Sequence, residues 1–418
     1  MKMMSRRVVI TGLGIFSSIG NSFDEITFNL KAGISGITKV QAWEELGIKS
    51  CLAGEIKGVV EKMENSGISK KIFNCMSEAA IMGTLAAQDA FADANINSQE
   101  MVLRDIACIV GSGVSSTEAI YKGADLLFNN NIKKMSPYTI VRSMCSSPSA
   151  AITNSFKLTG RSYSLSSACA TSTHNLGHAY ELIKSGLIDI AVAGGCEEVT
   201  PITTSAFMAM RMALSTAYTD TPTQASRPYD KDRDGFIMSG GAGILILESL
   251  ESAKKRGARI YAEIIGYHAN ADGHDMIMPE PNGQQTGKCI KKALENAGIK
   301  PRDVDYINTH GTSTVIGDLS ELKAIQIAFG GDIPSISSTK AMTGHPIAAA
   351  GGIETIFCLS MLKHQFVAPS INVFHLDEAC EGFPIVTQLI EKKIDIILNN
   401  NFGFGGTNAA IVLRKFND

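Results

Sequence analysis

The sequence predicts an α/β fold in which a mostly parallel sheet is built twice. Three observations carry that expectation. Short glycine-bounded apolar runs alternate with longer helical stretches, the runs are apolar on consecutive residues, and motifs of the first half return in the second. Strands separated by helices favour crossover connections, and a strand that is apolar on both faces must be covered on both.

In chain order the strand candidates are RVVITGLG at 7–14, DIACIVGSG at 105–113, DIAVAGG at 189–195, GAGILILE at 241–248, RIYAEIIGY at 259–267, VDYINTHG at 304–311 and DIILNNNFGFGG at 395–406. Tyr163-Ser-Leu-Ser-Ser-Ala-Cys-Ala-Thr-Ser is echoed by Pro334-Ser-Ile-Ser-Ser-Thr-Lys-Ala-Met-Thr, a short strand followed by a small-residue helix. Ile109-Val-Gly-Ser-Gly-Val-Ser-Ser is echoed by Ile307-Asn-Thr-His-Gly-Thr-Ser-Thr. Such self-similarity predicts a duplication. The charged stretch at 250–258 is its boundary, giving halves 1–255 and 256–418.

A chain of 418 residues exceeds a usual single core, and 44% hydrophobic with 19% charged residues is a globular composition. A net charge of −3 gives no global pull toward nucleic acid or an anionic membrane. No apolar run approaches the roughly 20 residues of a membrane span. The opening MKMMSRRVVITGLGIF reads as a strand entering a turn rather than a cleaved signal, so a cytoplasmic location is expected. Nine cysteines without a CxxC pair suit a reducing compartment, where most are small buried hydrophobes.

Three segments carry candidate chemistry. In Ser166-Ser-Ala-Cys-Ala-Thr-Ser-Thr-His, Cys169 falls near a helix N-terminus, whose free N–H groups and positive dipole end favour a thiolate and lower its pKa. The same residue could equally be a cysteine that merely packs. Asn308-Thr-His-Gly-Thr-Ser-Thr places His310 at the carboxyl end of a strand, where open α/β sheets bind ligands. Ser337-Ser-Thr-Lys-Ala-Met-Thr-Gly-His places Lys340 and His345 in the second-half equivalent of the cysteine segment. Duplication then predicts that Cys169 and His345 approach one crevice from opposite halves.

Val8-Val-Ile-Thr-Gly-Leu-Gly, Ser166-Ser-Ala-Cys-Ala-Thr, Ser226-Arg-Pro-Tyr-Asp-Lys-Asp-Arg-Asp-Gly-Phe, His310-Gly-Thr-Ser-Thr, Thr339-Lys-Ala-Met-Thr-Gly-His and Asn401-Phe-Gly-Phe-Gly-Gly-Thr-Asn span nearly the whole chain. With these motifs in this order the chain resembles the β-ketoacyl-ACP synthases, elongating condensing enzymes of the thiolase-like superfamily. The resemblance implies duplicated αβαβαββ halves in a five-layered αβαβα structure. It implies decarboxylative Claisen condensation: an acyl chain held on Cys169 joins malonyl-ACP, with His310 and His345 as N–H donors to the enolate. It assigns the oxyanion hole to the N–H groups of Cys169 and Phe404, and a supporting charge pair to Lys340 and Glu354. Thr312 and Thr314 would bind pantetheine, with Phe236, Phe402 and Val114 lining the substrate site. The reaction requires no cofactor and no metal.

The implied partner is an acidic acyl carrier protein, docking on a basic rim of Lys70, Lys71, Lys133, Lys134 and Arg211. The implied assembly is a homodimer, joined at a sheet edge near the strand ending in DIAVAGG or the first-half SxSS strand, with Met135-Ser-Pro-Tyr-Thr-Ile-Val close by. Ser17-Ser-Ile-Gly-Asn, Asp272-Gly-His-Asp-Met and Ala368-Pro-Ser-Ile-Asn lean toward the type I elongating branch. Two other readings stand: a ketosynthase of a specialised polyketide or polyene pathway, and a chain-length-factor subunit of a heterodimer. Retention of Cys169, His310 and His345 together counts against the second.

Some residues point elsewhere. His174 and His178 have the i, i+4 spacing of metal ligands, but no third ligand accompanies them. The methionine-rich 207–214 stretch reads as core packing, and Arg233 as structural. Gly344-His-Pro-Ile-Ala departs from the family's usual Gly-His-Leu or Gly-His-Ser run, and Pro346 sits where an early helix turn tolerates proline.

Overall fold

The structure is a computed structural model and describes residues 6–97, 99, 101, 104–211 and 213–417. One large sheet contains β1 (Val8–Phe16), β2 (Ala107–Gly111), β3 (Ser162–Tyr163), β4 (Ile190–Glu197), β5 (Gly241–Ser249), β6 (Ala262–Ala271), β7 (Tyr306–Asn308), β8 (Ser335–Ser337), β9 (Ile396–Gly403) and β10 (Thr407–Lys415). Their spatial order is β8-β7-β9-β10-β6-β1-β5-β4-β2-β3, so each of the first five strands has its counterpart five strands later. The pairing directions repeat too. β2 is parallel to β3 and β4, as β7 is to β8 and β9. β5 is antiparallel to β4 and β1, as β10 is to β9 and β6. The two sets join where β1 runs antiparallel to β6, with Val8 opposite Ile264.

This mixed sheet corrects the expectation of a mostly parallel one. Continuous apolarity reports that both faces are covered, which antiparallel strands inside a layered fold also satisfy. The covering helices are α1 (Glu78–Asp93), α2 (Ser147–Phe156), α3 (Thr171–Lys184), α4 (Gln284–Ala297), α5 (Val315–Phe329) and α6 (Ala350–His364). Alternate residues of β5 divide between two cores. Ala242, Ile244 and Ile246 join α1 and α2, whereas Leu245 and Leu247 face α3 and α6. In β10, Ala410 and Val412 join α4 and α5, and Ala409, Ile411 and Leu413 turn to the middle. The layers are therefore α1/α2, one half-sheet, α3/α6, the other half-sheet, and α4/α5: the αβαβα stack.

Position in the stack is written in each helix. α4 buries Cys289, Ile290, Ala293 and Leu294 and turns Lys288, Lys291 and Lys292 outward, as an outer-layer helix should. In α6 every residue from Ala350 to Leu362 is buried, as the middle layer demands. Its close seat depends on two glycines. A Cβ on Gly352 would lie 2.3 Å from the Gly243 carbonyl oxygen, and one on Gly351 1.9 Å from Thr173 Oγ1.

α3 and α6 each follow a 3-10 turn, Ala168–Ala170 and Ile347–Ala349. Each turn opens on a left-handed residue that is not glycine, with φ 49° at Ala168 and 41° at Ile347. By this match the second-half counterpart of Cys169 is Ala348. The second half interposes a short helix, Lys340–Thr343, between β8 and its turn, so the expected equivalence of the His345 segment is displaced. The edge expectation is narrowed as well: β4 lies between β5 and β2, leaving the two-residue β3 as the first-half edge. Among the described residues no helix is long and apolar enough to cross a membrane.

Candidate active site

Cys169 sits in the turn ahead of α3 and is 7% exposed. Its own N–H and that of Phe404 both point at its sulfur. Gly403 brings the Phe404 loop this close, since a Cβ there would meet Ser167 O at 2.7 Å and Cys169 N at 3.0 Å. His310 follows β7, where Glu321 of α5 accepts the N–H groups of His310 (2.9 Å) and Gly311 (2.8 Å). His345 is fastened through its backbone: its N–H donates to Ile237 O at 2.7 Å and its carbonyl accepts from Ser239 N at 3.0 Å.

These three side chains from distant parts of the chain converge. Cys169 Sγ and one ring nitrogen of each histidine lie within 4.8 Å of one another. The imidazoles stand 5.2 Å apart at 87°. Phe236 stacks edge-on to His345 at 5.3 Å and Phe402 to His310 at 5.7 Å. Leu214, Phe236, Met238 and Ile347 form an apolar cluster with Cys169. Beneath the site, buried Lys340 donates to Glu354, whose other oxygen accepts from Asn401 Nδ2 at 2.7 Å, and Thr173 Oγ1 bonds Asn401 Oδ1.

The electrostatics correct one expectation. Burial pushes the Cys169 thiol up to about 12, although Lys340 and the Phe404 and Cys169 N–H groups pull it down. Desolvation of the thiolate outweighs the helix-end effect that predicted a lowered value. Burial, reinforced by Lys340, holds both histidines well below the usual imidazole range, so the rings are neutral. Their Nδ1 atoms are buried with no hydrogen-bond partner among the described residues. An unpaired buried acceptor is tolerated better than an unpaired N–H, which puts each proton on Nε2.

Thr312 and Thr314 lie on the loop after His310, their hydroxyl oxygens 3.0 Å apart. Val114 is not in the apolar cluster; it is 38% exposed and its N–H reaches Glu197 Oε2 at 3.3 Å. Lys70, Lys71, Lys133, Lys134 and Arg211 are all exposed. His174 Nδ1 meets Ser167 and Ala170, and His178 Nε2 meets Tyr163 OH at 2.8 Å. The ligand-type cluster found among the described residues is the Cys169, His310, His345 group itself. Arg233 is structural, ion-paired to Asp318 and Asp377.

Three residues near the site were not assigned to it from the sequence: Phe207, whose stretch reads as core packing, Glu321 and Asn401. Phe207 packs on Phe236 (5.5 Å) and Phe404 (5.9 Å), so this part of the methionine-rich stretch walls the site; Met212 of that stretch lies outside the described residues. Glu321 anchors His310 from eleven residues away, with nothing local to mark it. Asn401 stands inside a quoted motif, but only the fold brings it to Glu354.

A doubled αβαβα stack with its cysteine, two histidines and backbone donors gathered at one point is the build of a thiolase-like condensing enzyme. The chain belongs to the β-ketoacyl synthase family of acyltransferases: residues 5–253 match the family's N-terminal domain and 261–374 its C-terminal domain. It is similar to 3-oxoacyl-[acyl-carrier-protein] synthase 1 of Haemophilus influenzae, with 44% identity over 414 residues, covering 99% of this chain and 100% of that protein. A β-ketoacyl synthase from Burkholderia phymatum has a similar structure, with a TM-score of 0.92 and 31% identity over 99% of this chain and 100% of that one. So has a type II polyketide ketosynthase solved in complex with its acyl-carrier protein, with a TM-score of 0.86 and 31% identity over the same shares.

Proposed function

We propose that this enzyme elongates acyl chains for fatty acid synthesis on an acyl carrier protein. The observation that carries the reading is the convergence of Cys169, His310 and His345 within 4.8 Å. The Cys169 thiol loses its proton as its sulfur attacks the carrier thioester. The tetrahedral oxyanion meets the Cys169 and Phe404 N–H groups, and collapse expels the carrier's pantetheine thiolate, which takes up a proton. Malonyl-ACP then enters. Its C–C bond to the carboxylate breaks, carbon dioxide leaves, and the electron pair spreads onto the thioester oxygen as an enolate held by the Nε2–H groups of His310 and His345. The enolate carbon attacks the acyl carbonyl, the new C–C bond forms, and the Cys169 thiolate departs and is reprotonated.

Lys340 and Glu354 support the histidines electrostatically from below. Thr312 and Thr314 hold pantetheine, Phe236 and Phe402 flank the reacting carbons, and Val114 joins the acyl site where a second subunit covers it. Lys70, Lys71, Lys133, Lys134 and Arg211 form the carrier's docking rim. No step requires a cofactor or metal. We take the halves as 1–255 and 256–418, the working compartment as the cytoplasm and the working form as a homodimer. The dimer reading is supported by the open edge at β3 and by exposed Tyr121, Phe128 and Ile140, at 59%, 81% and 68%. The helix carrying Ile140 packs on α2, which packs beside β3. Elongation is favoured over the polyketide reading by the greater identity to the 3-oxoacyl synthase relative. A single-turnover experiment tests it: preformed acyl-enzyme mixed with malonyl-ACP should yield β-ketoacyl-ACP two carbons longer, carbon dioxide and free thiol, whereas release of acetyl-ACP with the acyl-enzyme intact would refute it.

A further inference from the structure

The turn that presents Cys169 is strained and held. Ala168 takes φ 49°, a conformation that a non-glycine residue adopts only when its surroundings impose it. Part of the grip comes from His174, one helical turn into α3. Its Nδ1 lies 2.7 Å from Ser167 Oγ and 3.0 Å from Ala170 O. Ser167 and Ala170 bracket the turn, one before Ala168 and one after Cys169. A carbonyl only accepts, so Nδ1 carries the proton and the Ser167 hydroxyl oxygen shares it. Two other bonds also cross the turn, the Ala170 N–H to Ser167 O at 3.1 Å and the Ser167 N–H to Thr171 Oγ1 at 2.8 Å, and Thr407 Oγ1 donates to Ser167 O at 3.2 Å; His174 adds a third crossing, through the Ser167 hydroxyl and the Ala170 carbonyl.

We infer that His174 is a positioning residue for Cys169: its Nδ1–H adds a side-chain tie across a turn already closed by backbone bonds, stiffens Ala168 in the left-handed region, and thereby holds the Cys169 N–H in the oxyanion position. Without the tie, Ala168 relaxes toward the right-handed region and that N–H rotates off the sulfur. The inference rests on Cys169 being the acyl-carrying nucleophile. It also gives one of the paired histidines on α3 a task, while His178 bonds Tyr163 on the edge strand.

The test uses the full chain carrying His174→Ala, His174→Asn, or His174→Ala with Ala168→Gly. Acylation by acyl-ACP is followed for kcat and KM, and alkylation of Cys169 by iodoacetamide is followed across pH by peptide mass spectrometry. His174→Ala should lower the acylation kcat about tenfold at little-changed KM and move the alkylation profile to higher pH. His174→Asn, whose amide N–H stands where Nδ1–H stood, should stay within about threefold of the parent. Ala168→Gly should recover part of the loss in the His174→Ala background, because glycine takes φ 49° without the strain an alanine stores there. Should His174→Ala fail to fold, His174→Gln, whose N–H stands where Nε2 was, must show the same loss. A parental rate and profile in His174→Ala, or equal impairment in the Ala and Asn variants with no recovery by Ala168→Gly, overturns the inference. Failure of the parent itself to acylate Cys169 overturns the functional reading instead.

Discussion

The imidazole of His310 stands nearly perpendicular to that of His345, their centroids 5.2 Å apart, with Cys169 Sγ within 4.8 Å of a nitrogen on each. Two neutral rings so arranged can both aim an N–H at one developing anion. His310→Ala and His345→Ala should each lower malonyl decarboxylation by about 10² or more, as loss of a transition-state donor does. Acylation of Cys169 should survive better in both. Parental decarboxylation rates measured by carbon dioxide release would contradict the role.

The pH response follows from burial. Both histidines sit well below 6.5, so the neutral donor form persists as pH falls through that value and is lost only at more acid pH. The Cys169 thiol, at about 12, should still be gaining reactivity toward iodoacetamide as pH rises through 10. Lys340 lowers all three groups. Lys340→Met should therefore move the acid limb of decarboxylation to higher pH and slow alkylation at any fixed pH; unmoved profiles would remove Lys340 from the site's electrostatics.

Glu321 is buried, and burial raises its carboxyl to about 7 against the pull of the Gly311 and His310 N–H groups. Glu321→Ala leaves those two donors unpaired, at about 1–3 kcal/mol each, and the loop bearing His310 should loosen. Condensation should fall about tenfold, and Glu321→Gln, which keeps an acceptor, should fall less. Steady-state kinetics of the two variants side by side would show the order.

Gly352→Ala tests the layering. Its Cβ would collide with the Gly243 backbone, so α6 must lift from β5. Urea denaturation should report a loss of at least about 1–3 kcal/mol, the cost of overpacking a filled interior. An unchanged midpoint would mean that the close helix-to-strand approach is not required.

Phe128→Glu combined with Ile140→Glu should dissociate the proposed homodimer, since charge replaces exposed apolar surface on two neighbouring helices. Light scattering reads the outcome directly. A parent that is already a fully active monomer would refute the dimer, and with it the completion of the Val114 site by a partner.

Much of this was legible in the sequence because its signals are local. Cys169, His310 and His345 each stand in a short motif that follows a strand, and the apolar runs locate most of the large-sheet strands. The duplication is likewise visible, in the echo of the SxSS segment. What escaped depends on contacts between distant residues. Strand direction in β1, β5, β6 and β10 leaves no mark on a run covered on both faces. The Cys169 pKa is set by how deeply Leu214, Phe236, Met238 and Ile347 bury it, not by the helix it precedes. Glu321 and Phe207 reach the site only because α5 and the 201–208 helix pack where they do. Cys169 and His345 do meet from opposite halves, but the match of their segments is offset by the four-residue helix Lys340–Thr343, which no residue pattern announced.

The most direct measurement is peptide mapping by mass spectrometry after incubation with acyl-ACP. The mass of one acyl group should appear on the Cys169 peptide alone among the nine cysteines and disappear in Cys169→Ala, with circular dichroism unchanged. Acylation that persists in Cys169→Ala, or maps to another cysteine, would contradict the central claim.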